Sequence, residues 1–347
     1  MSRTMKRIEA TAPTRIDLAG GTIDLWPLNL LHDAPLTVNA AIDRRASAWI
    51  ESTDSDGIEV ISRDRGARAR IDPAGPAGVE RGSELEFPLR LARHFLIPDT
   101  GRSGDFTPCR ITTEARVPVG SGLGGSSALG IALSAALDRF SGRGLGIEQL
   151  LQVTRAIETQ VLRIPTGEQD YHPALVGGAL ALHYTVEGTR VEHLPVDFNQ
   201  MRARLILAYS GLSRSSGISN WDVMKRHLDG DRLVIDSLDG VRRAAHDLRD
   251  ALLSGDWDGA GQAIGREWEA RKRLSPEVTN RFIDDLIEGG CAAGAVAGKV
   301  CGAGGGGCLF LWANEGRGDA IRSRLVEMGG EILDYEFTTR GVSITES

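Results

Sequence analysis

Residues 118–128 read Pro-Val-Gly-Ser-Gly-Leu-Gly-Gly-Ser-Ser-Ala and lie between an alternating, strand-like segment and an aliphatic, helix-like one. Glycine tolerates positive φ and close approach of a ligand, so successive N–H groups can converge on an anion at the positive end of the following helix. Ser126 and Ser127 suit the N-cap of that helix, and their hydroxyls can also face a phosphate or Mg²⁺. The stretch fits neither the Walker motif nor the Rossmann fingerprint. It therefore predicts a phosphate loop of another kind.

Two further glycine clusters flank this loop at a distance. Residues 298–307 (Gly-Lys-Val-Cys-Gly-Ala-Gly-Gly-Gly-Gly) precede an apolar strand pattern, and their apolar neighbours favour a backbone packed against another chain segment or a ligand over a flexible linker. Residues 13–24 (Pro-Thr-Arg-Ile-Asp-Leu-Ala-Gly-Gly-Thr-Ile-Asp) place Arg15 and Asp24 close to a Gly-Gly loop that joins the first strand to the next segment. Taken alone, this third cluster is a weak signal, and charges on an exposed loop are its ordinary explanation.

Two carboxylates stand out between these clusters. Glu158 lies at the edge of the apolar stripe of a predicted helix over 146–162, where a carboxylate is either paired, metal-bound or extended outward to solvent. Asp170 follows twelve residues later in a loop that the helix end brings close. Two separate carboxylates and a glycine-lined anion site are typical of metal-assisted phosphoryl transfer.

The composition bounds the class of protein. The chain has 347 residues and a formal net charge of −7, so it lacks the basic surplus of a nucleic-acid-binding protein. Its longest aliphatic stretch, Ala128–Leu137, is too short to cross a bilayer, and no signal-type segment opens the sequence. Four widely spaced cysteines predict buried, reduced thiols. We therefore expect a cytoplasmic protein with no membrane or nucleic-acid partner.

Hydrophobic periodicity predicts mixed strands and helices without strict alternation, and hence an α+β fold. The polar link Val196-Asp197-Phe198-Asn199 predicts a boundary between two domains, 1–197 and 198–347. The predicted strands are 7–11, 46–51, 57–62, 67–71, 109–117, 179–184, 190–194, 203–209, 309–312 and 332–337, and the predicted helices are 84–96, 127–140, 146–162, 218–228, 237–253, 257–272, 276–288 and 319–328.

Together, the three motifs at 13–25, 118–128 and 299–311 resemble the GHMP kinase superfamily, in this order and at these distances. Within it, the first motif and the Gly-Leu-Ser-Arg-Ser run at 211–215 are most similar to bacterial D-glycero-D-manno-heptose 7-phosphate kinases and fucokinase-type sugar kinases. The resemblance implies a ribosomal-S5-like N-terminal domain and a ferredoxin-like C-terminal domain. It also implies ATP and Mg²⁺ as cofactors.

The resemblance also assigns roles to individual residues. Asp170, in the step Gly167-Glu168-Gln169-Asp170, would be the catalytic base, and Arg15 would keep it ionised and stabilise developing negative charge. Glu158 with Ser126 or Ser127 would hold Mg²⁺. The family commonly has Asp-Gln where this chain has Asp170-Tyr171. The phosphate loop carries one glycine more than is common in the family, so the choice between the two serines stays open. The expected ATP-binding residues are Pro118, Gly120, Ser121, Gly122, Leu123, Gly124, Gly125, Ser126 and Ser127, and the expected substrate-binding residues are Gly20, Gly21, Asp24, Asp170, Arg214, Ser215, Gly304 and Gly305.

The leading hypothesis is thus an ATP-dependent kinase of a sugar or sugar phosphate, acting on the anomeric hydroxyl and existing as a monomer or homodimer. One alternative is a kinase of a non-sugar alcohol, mevalonate-like or polyol-like. A second is a catalytically silent sensor that binds ATP and sugar. Retention of Arg15, Glu158 and Asp170 argues against the sensor, which needs no complete catalytic set.

Overall fold

The computed structural model describes residues 6–54, 56–71, 79–97, 106–212 and 217–347, with the backbone alone for residues 217–219. Helices and strands are mixed along the chain, and the predicted α+β class is confirmed. The strands are β1 Arg7–Ala19, β2 Leu36–Ser52, β3 Ile58–Ser62, β4 Ala67–Ile71, β5 Cys109–Ala115, β6 Ala179–Thr185, β7 Gly188–Leu194, β8 Leu205–Tyr209, β9 Ala295–Val300, β10 Cys308–Ala313, β11 Glu331–Ile332 and β12 Ser343–Glu346. The helices are α1 Glu86–Leu96, α2 Gly125–Ser141, α3 Ile147–Leu162, α4 Tyr171–Val176, α5 Phe198–Arg204, α6 Gly217–Leu228, α7 Arg232–Ser254, α8 Trp257–Lys272, α9 Arg281–Ala292 and α10 Gly318–Glu327, with a 3₁₀ turn at Leu28–Leu30.

The strands form two sheets. The first has the order β12-β1-β2-β5-β3-β4, with β6 paired to the first half of β2 and β7 paired to β6. Its pairs are antiparallel except β3–β5, and the second sheet, β11-β8-β10-β9, is antiparallel throughout. After β7 the chain crosses to the second sheet, and with β12 it returns to pair with β1. The division between residues 197 and 198 stays a prediction.

Apolar residues of both sheets form continuous cores. One cluster packs α1, α2 and α3 on the first sheet, and a second joins the first sheet to the second through α7 and α8. This second cluster includes Ile16 and Leu18 of β1 together with Leu207 and Phe310 of the other sheet. The two sheets therefore share a buried interface, and the candidate site lies where β1 reaches it.

Residues 13–19 of the first motif belong to a strand and not to the predicted joining loop, which is confined to residues 20–24. β1 continues through Pro13 to Ala19, and its pairing with β2 shifts register between Pro13 and Thr14. Proline has no backbone N–H and is tolerated at such an irregularity. Pro13, which in the sequence indicates the end of a strand, therefore marks a bulge within β1. The consequence is that Arg15 extends from a rigid strand.

Helix α2 begins two residues earlier than predicted. Gly124 is its N-cap, with φ of 72°, and neither serine caps it; Ser126 and Ser127 lie inside the first turn. The left-handed backbone at this position favours glycine over serine, which is why the prediction of a serine N-cap is wrong.

Other differences concern the bounds of single elements: β2 begins at Leu36 and not at 46, and α9 begins at Arg281 and not at 276. Ala203 belongs to α5, so β8 begins only at Leu205, and the predicted strand at 332–337 is reduced to β11 and an isolated bridge between Ile42 and Phe337. Strand β9 ends inside the second glycine cluster and was not predicted, because Gly298 and its small neighbours give little hydrophobic alternation.

Candidate active site

The phosphate loop, defined here as Pro118–Ser127, leads into the N-terminus of α2. Gly120, Gly122 and Gly124 all have positive φ, between 71° and 74°. The first helical hydrogen bond runs from the Ala128 N–H to the Gly124 carbonyl, so the three preceding amides have no acceptor within the helix. These amides and the helix dipole make the loop suitable for binding an anionic phosphate.

The second glycine cluster packs directly on this loop. The Cys308 N–H donates to the Ser121 carbonyl at 2.7 Å, and a Cβ added to Gly122 would lie 2.3 Å from the Cys301 carbonyl oxygen. A Cβ added to Gly307 would lie 2.7 Å from the Gly120 and Ser121 carbonyl oxygens. The glycines are thus required by backbone-to-backbone contact, as the sequence predicts for a segment packed against its neighbour.

Arg15 and Asp170 meet beside the phosphate loop. The Arg15 Nε and Nη2 donate to Asp170 Oδ1 at 2.9 and 2.5 Å, and its Nη1 donates to the Gly122 carbonyl. Burial opposes the charge of Arg15, but Asp170 and Asp17 outweigh it and raise the pKa of the guanidinium. Among the described contacts, none occupies Asp170 Oδ2, and this atom lies 3.5 Å from the position of a Cβ added to Gly124. One oxygen is therefore held by the arginine and the other faces the start of α2.

Glu158 is buried on α3 and receives three hydroxyl donors. Ser126 donates to its Oε1 at 2.5 Å, Ser127 donates to its Oε2 at 3.2 Å, and Tyr171 donates to the same Oε2. Burial raises the pKa of Glu158, and no ion pair found in the described part of the chain involves it. Glu158 is 4% exposed, so the alternative of a side chain extended to solvent is not what the structure contains.

Asp24 lies across the cleft from this group. Its Oδ2 accepts the Gln169 N–H at 3.1 Å, and a Cβ on Gly167 would lie within 2 Å of that oxygen, so the glycine makes room for the carboxyl. Burial raises the pKa of Asp24 to about 7 despite the hydrogen bond from Gln169, and the nearby charge of Asp170 adds to the shift.

These side chains line one cleft of about 430 Å³. Thr22 and Asn220, which the sequence did not single out, lie beside Asp24 in the lining, and Gly302 and Ala303 represent the second glycine cluster there. The expected site residues in the lining are Arg15, Asp24, Pro118, Gly120, Ser121, Gly122, Gly124, Gly125, Ser126, Ser127, Glu158 and Asp170.

Five of the expected site residues that the structure describes do not line the cleft. Leu123 is fully buried below the loop, where its carbonyl accepts the Arg15 N–H. Gly304 is packed against Val278, and the Gly305 N–H donates to the Val278 carbonyl at 2.7 Å. Gly20 packs on the backbone of Leu36 and donates its N–H to Glu267, and Gly21 packs on the side chains of Asp17 and Arg271. Arg214 and Ser215 lie outside the described residues.

Behind Gly20 and Gly21 lies a buried ionic cluster that sequence reasoning missed. We call Asp17, Glu267, Arg271 and Lys299 the buried quartet; all four are at most 1% exposed. Glu267 Oε1 is 2.6 Å from Arg271 Nη2 and 3.0 Å from Lys299 Nζ, and both cations lie 3.6 Å from Asp17. Burial alone would raise the pKa of Asp17, but Lys299 and Arg271 lower it.

The buried quartet connects β1, α8 and β9 and also reaches the cleft lining. Arg271 Nη1 donates to the Gly302 carbonyl at 3.3 Å and is 3.5 Å from the Thr22 hydroxyl. A lysine within the small-residue segment 295–300, and a Glu-Arg pair four residues apart on α8, were the sequence signals available for it.

Asp24→Asn is predicted to change how stability depends on pH. The folded-state pKa of about 7 exceeds the ordinary 3.8, so the folded chain binds more protons than the unfolded chain between these values. The stability due to this group is therefore lost as pH rises through 7, whereas asparagine stays neutral. Between about pH 5 and pH 8, we expect the free energy of unfolding of the variant to increase by roughly 2–3 kcal/mol relative to that of the wild type, measured by urea unfolding. A parallel pH dependence in wild type and variant, matching the Asp250→Asn control on the surface, would contradict this.

Comparison with known proteins agrees with the geometry. Residues 87–178 match the domain described as GHMP kinases N terminal domain, and residues 248–331 match the one described as GHMP kinases C terminal; together they span about half of the chain. Among the described residues, no helix is long and apolar enough to span a membrane.

Individual relatives cover nearly the whole length. The chain is 25% identical to the D-glycero-alpha-D-manno-heptose 7-phosphate kinase of Campylobacter jejuni, over 97% of this chain and 98% of that protein. It is also 25% identical to the mevalonate kinase of Thermococcus onnurineus, over 98% and 99%. A solved D-glycero-D-manno-heptose 1-phosphate kinase from Bacteroides thetaiotaomicron shares the fold, with a TM-score of 0.76 and 23% identity over 97% and 98% of the two chains. The chain belongs to the GHMP kinase family and is an ATP-dependent phosphotransferase.

Proposed function

We propose that this protein is a kinase of a sugar or sugar phosphate, and that the acceptor is the anomeric hydroxyl. The observation that carries the proposal is the position of Asp170, held by Arg15 through Oδ1 with Oδ2 free beside the start of α2. Asp24, Thr22 and Asn220 line the same cleft, and such polar groups suit the hydroxyls of a sugar. The named activity of the heptose 7-phosphate kinase relative supports this substrate class.

The reaction follows from this arrangement. Asp170 Oδ2 takes the proton of the acceptor hydroxyl, and the hydroxyl oxygen bonds to the γ-phosphorus of ATP while the bond to the β-phosphate oxygen breaks, releasing ADP. The amides at the start of α2 and the guanidinium of Arg15 stabilise the negative charge on the transferring phosphoryl group. The Arg15 contact to Asp170 orients the carboxylate.

The residues around Glu158 fit Mg²⁺. A buried carboxylate beside two serine hydroxyls is a set of hard oxygen donors, and within the described part of the chain no cation compensates its charge. Glu158 would hold the metal together with Ser126 or Ser127. The ion supplies neutralisation of the phosphate charge when it is bound.

The substrate assignments at the remaining positions rest on the family resemblance. Asp24 would bind sugar hydroxyls in the cleft, and Arg214 with Ser215 would bind a phosphate already on the sugar. Gly20, Gly21, Gly304 and Gly305 would act by packing, since they support the cleft and do not line it. The mevalonate kinase relative favours a second candidate, a kinase of a non-sugar alcohol.

An acceptor panel tests the proposal. ADP release with Mg-ATP should be measured for free hexoses, heptose 7-phosphate, other sugar phosphates, mevalonate and polyols. We expect the highest kcat/KM with a sugar 7-phosphate. Preference for mevalonate would select the non-sugar kinase. A failure to turn over any acceptor in the panel, together with binding of ATP and sugar, would select the silent sensor.

Arg214→Ala is predicted to raise KM for a phosphorylated acceptor at least about tenfold and to leave KM for ATP unchanged. The reason is the loss of a charge-assisted contact to phosphate, which is worth about 1.5–3 kcal/mol. Arg232→Ala, an exposed arginine on α7, serves as the control. Equal wild-type activity on free and phosphorylated sugars, with no effect of Arg214→Ala, would indicate a free-sugar kinase.

A further inference from the structure

Tyr171 is a buried side chain of the active site to which the reaction assigns no role. It is the first residue of α4, directly after Asp170, and is 1% exposed. Its ring packs in the core with Ala174 and Leu175, while its hydroxyl donates to Glu158 Oε2. Packing explains the ring, and the hydroxyl needs a separate explanation.

The hydroxyl contacts the one carboxylate that fits the metal. Among the contacts of the described residues, Glu158 Oε1 accepts from the exposed Ser126 alone, and Oε2 accepts from both the buried Ser127 and Tyr171. Tyrosine is a rigid side chain whose ring is fixed here by its burial, so its O–H defines the rotation of the carboxylate plane. Donors of this kind commonly orient metal ligands and increase metal affinity.

We propose that Tyr171 is a positioning residue that orients Glu158 for Mg²⁺. This rests on the proposed function, in which Glu158 holds the metal. Because Tyr171 adjoins Asp170 in the chain, the same short segment supplies the base and fixes the metal ligand. A movement of this segment displaces both groups together.

The test uses nucleotide affinity and not turnover. The Kd of a non-hydrolysable ATP analogue is measured by calorimetry with Mg²⁺ and with EDTA, for the wild type and Tyr171→Phe. We expect Mg²⁺ to lower the Kd of the analogue in the wild type. In Tyr171→Phe the ratio of the Kd in EDTA to the Kd with Mg²⁺ should be about tenfold smaller. The Kd in EDTA should stay close to that of the wild type, because the tyrosine hydroxyl acts on Glu158 and its described contact with the phosphate loop is to Ser127, itself a candidate metal ligand.

Two controls separate positioning from packing. Tyr335 is equally buried and donates to the Leu205 carbonyl at 2.9 Å, so Tyr335→Phe removes a comparable hydroxyl away from the metal ligand and should keep the full Mg²⁺ effect. In a Glu158→Gln background, Tyr171→Phe should cause no further loss, because its effect passes through the carboxylate. All titrations are made at a temperature where each variant is folded.

The outcomes distinguish this inference from the proposed function. A full Mg²⁺ effect in Tyr171→Phe, with the effect lost in Glu158→Gln, overturns the role of Tyr171 and leaves Glu158 as the metal ligand. An equal loss from Tyr171→Phe in both backgrounds also overturns it, since that pattern indicates a general structural change. If neither Tyr171→Phe nor Glu158→Gln changes the Mg²⁺ effect, the proposed metal site itself fails.

Discussion

Asp170→Asn should lower kcat by about 10²–10⁴-fold while leaving the Kd for ATP close to that of the wild type. The substitution removes the proton acceptor at Oδ2 with little change in volume. Arg15 keeps its hydrogen bond to the Gly122 carbonyl, so the phosphate loop stays in place. The measurement is steady-state turnover at saturating acceptor together with calorimetric titration of the nucleotide.

The matched control is Asp334→Asn. Asp334 also pairs with an arginine, Arg202 at 3.1 Å, but lies on the surface with 96% of its side chain exposed. Its substitution should leave kcat unchanged. Turnover of Asp170→Asn within about twofold of the wild type would show that Asp170 is not the base.

Arg271→Met should destabilise the protein by about 3–5 kcal/mol, because it leaves buried Glu267 with Lys299 as its one ion-pair partner in the described structure and removes one of the cations beside buried Asp17. Methionine fills most of the volume of the arginine stem, so the loss reflects charge more than a cavity. Thermal and urea unfolding transitions measure the effect. The Gly302 carbonyl also loses its donor, so nucleotide affinity should fall as well.

Arg281→Met provides the comparison. Arg281 forms an ion pair of 3.9 Å with Asp285 and is 95% exposed, and such surface pairs contribute little. The unfolding midpoint of Arg281→Met should match that of the wild type. A similar small effect for Arg271→Met would mean that the buried quartet is replaceable and does not hold the two sheets together.

Glycine-rich and charged motifs were predictable because their chemistry is local. Gly122 and Gly124 were recognised from the local sequence alone. Both have the positive φ that glycine is expected to supply in such a loop. Asp170 and Glu158 were identified as a pair of carboxylates near a phosphate loop, and the structure places both in the lining of one cleft. In each case a short stretch of sequence contains the relevant physical constraint.

Long-range packing explains what was missed. The extension of β1 past Pro13 depends on its pairing with β2, which no local pattern of the motif reports. Lys299 and Glu267 are far apart in sequence and only tertiary structure brings them to 3.0 Å. Gly20 and Gly304 were expected to bind substrate, yet the structure places them against backbone and buried side chains, because a glycine signals close approach without naming the partner.

The most direct test of the central claim is the identity of the phosphorylated product. Wild-type protein, Mg-ATP and heptose 7-phosphate are incubated and the product is examined by phosphorus NMR, with Asp170→Asn as the parallel sample. We expect a new phosphate resonance coupled to the anomeric proton, one ADP formed for each product, and almost none of either with Asp170→Asn. ADP formed without a phosphorylated sugar, or the same product at the same rate from Asp170→Asn, would contradict it.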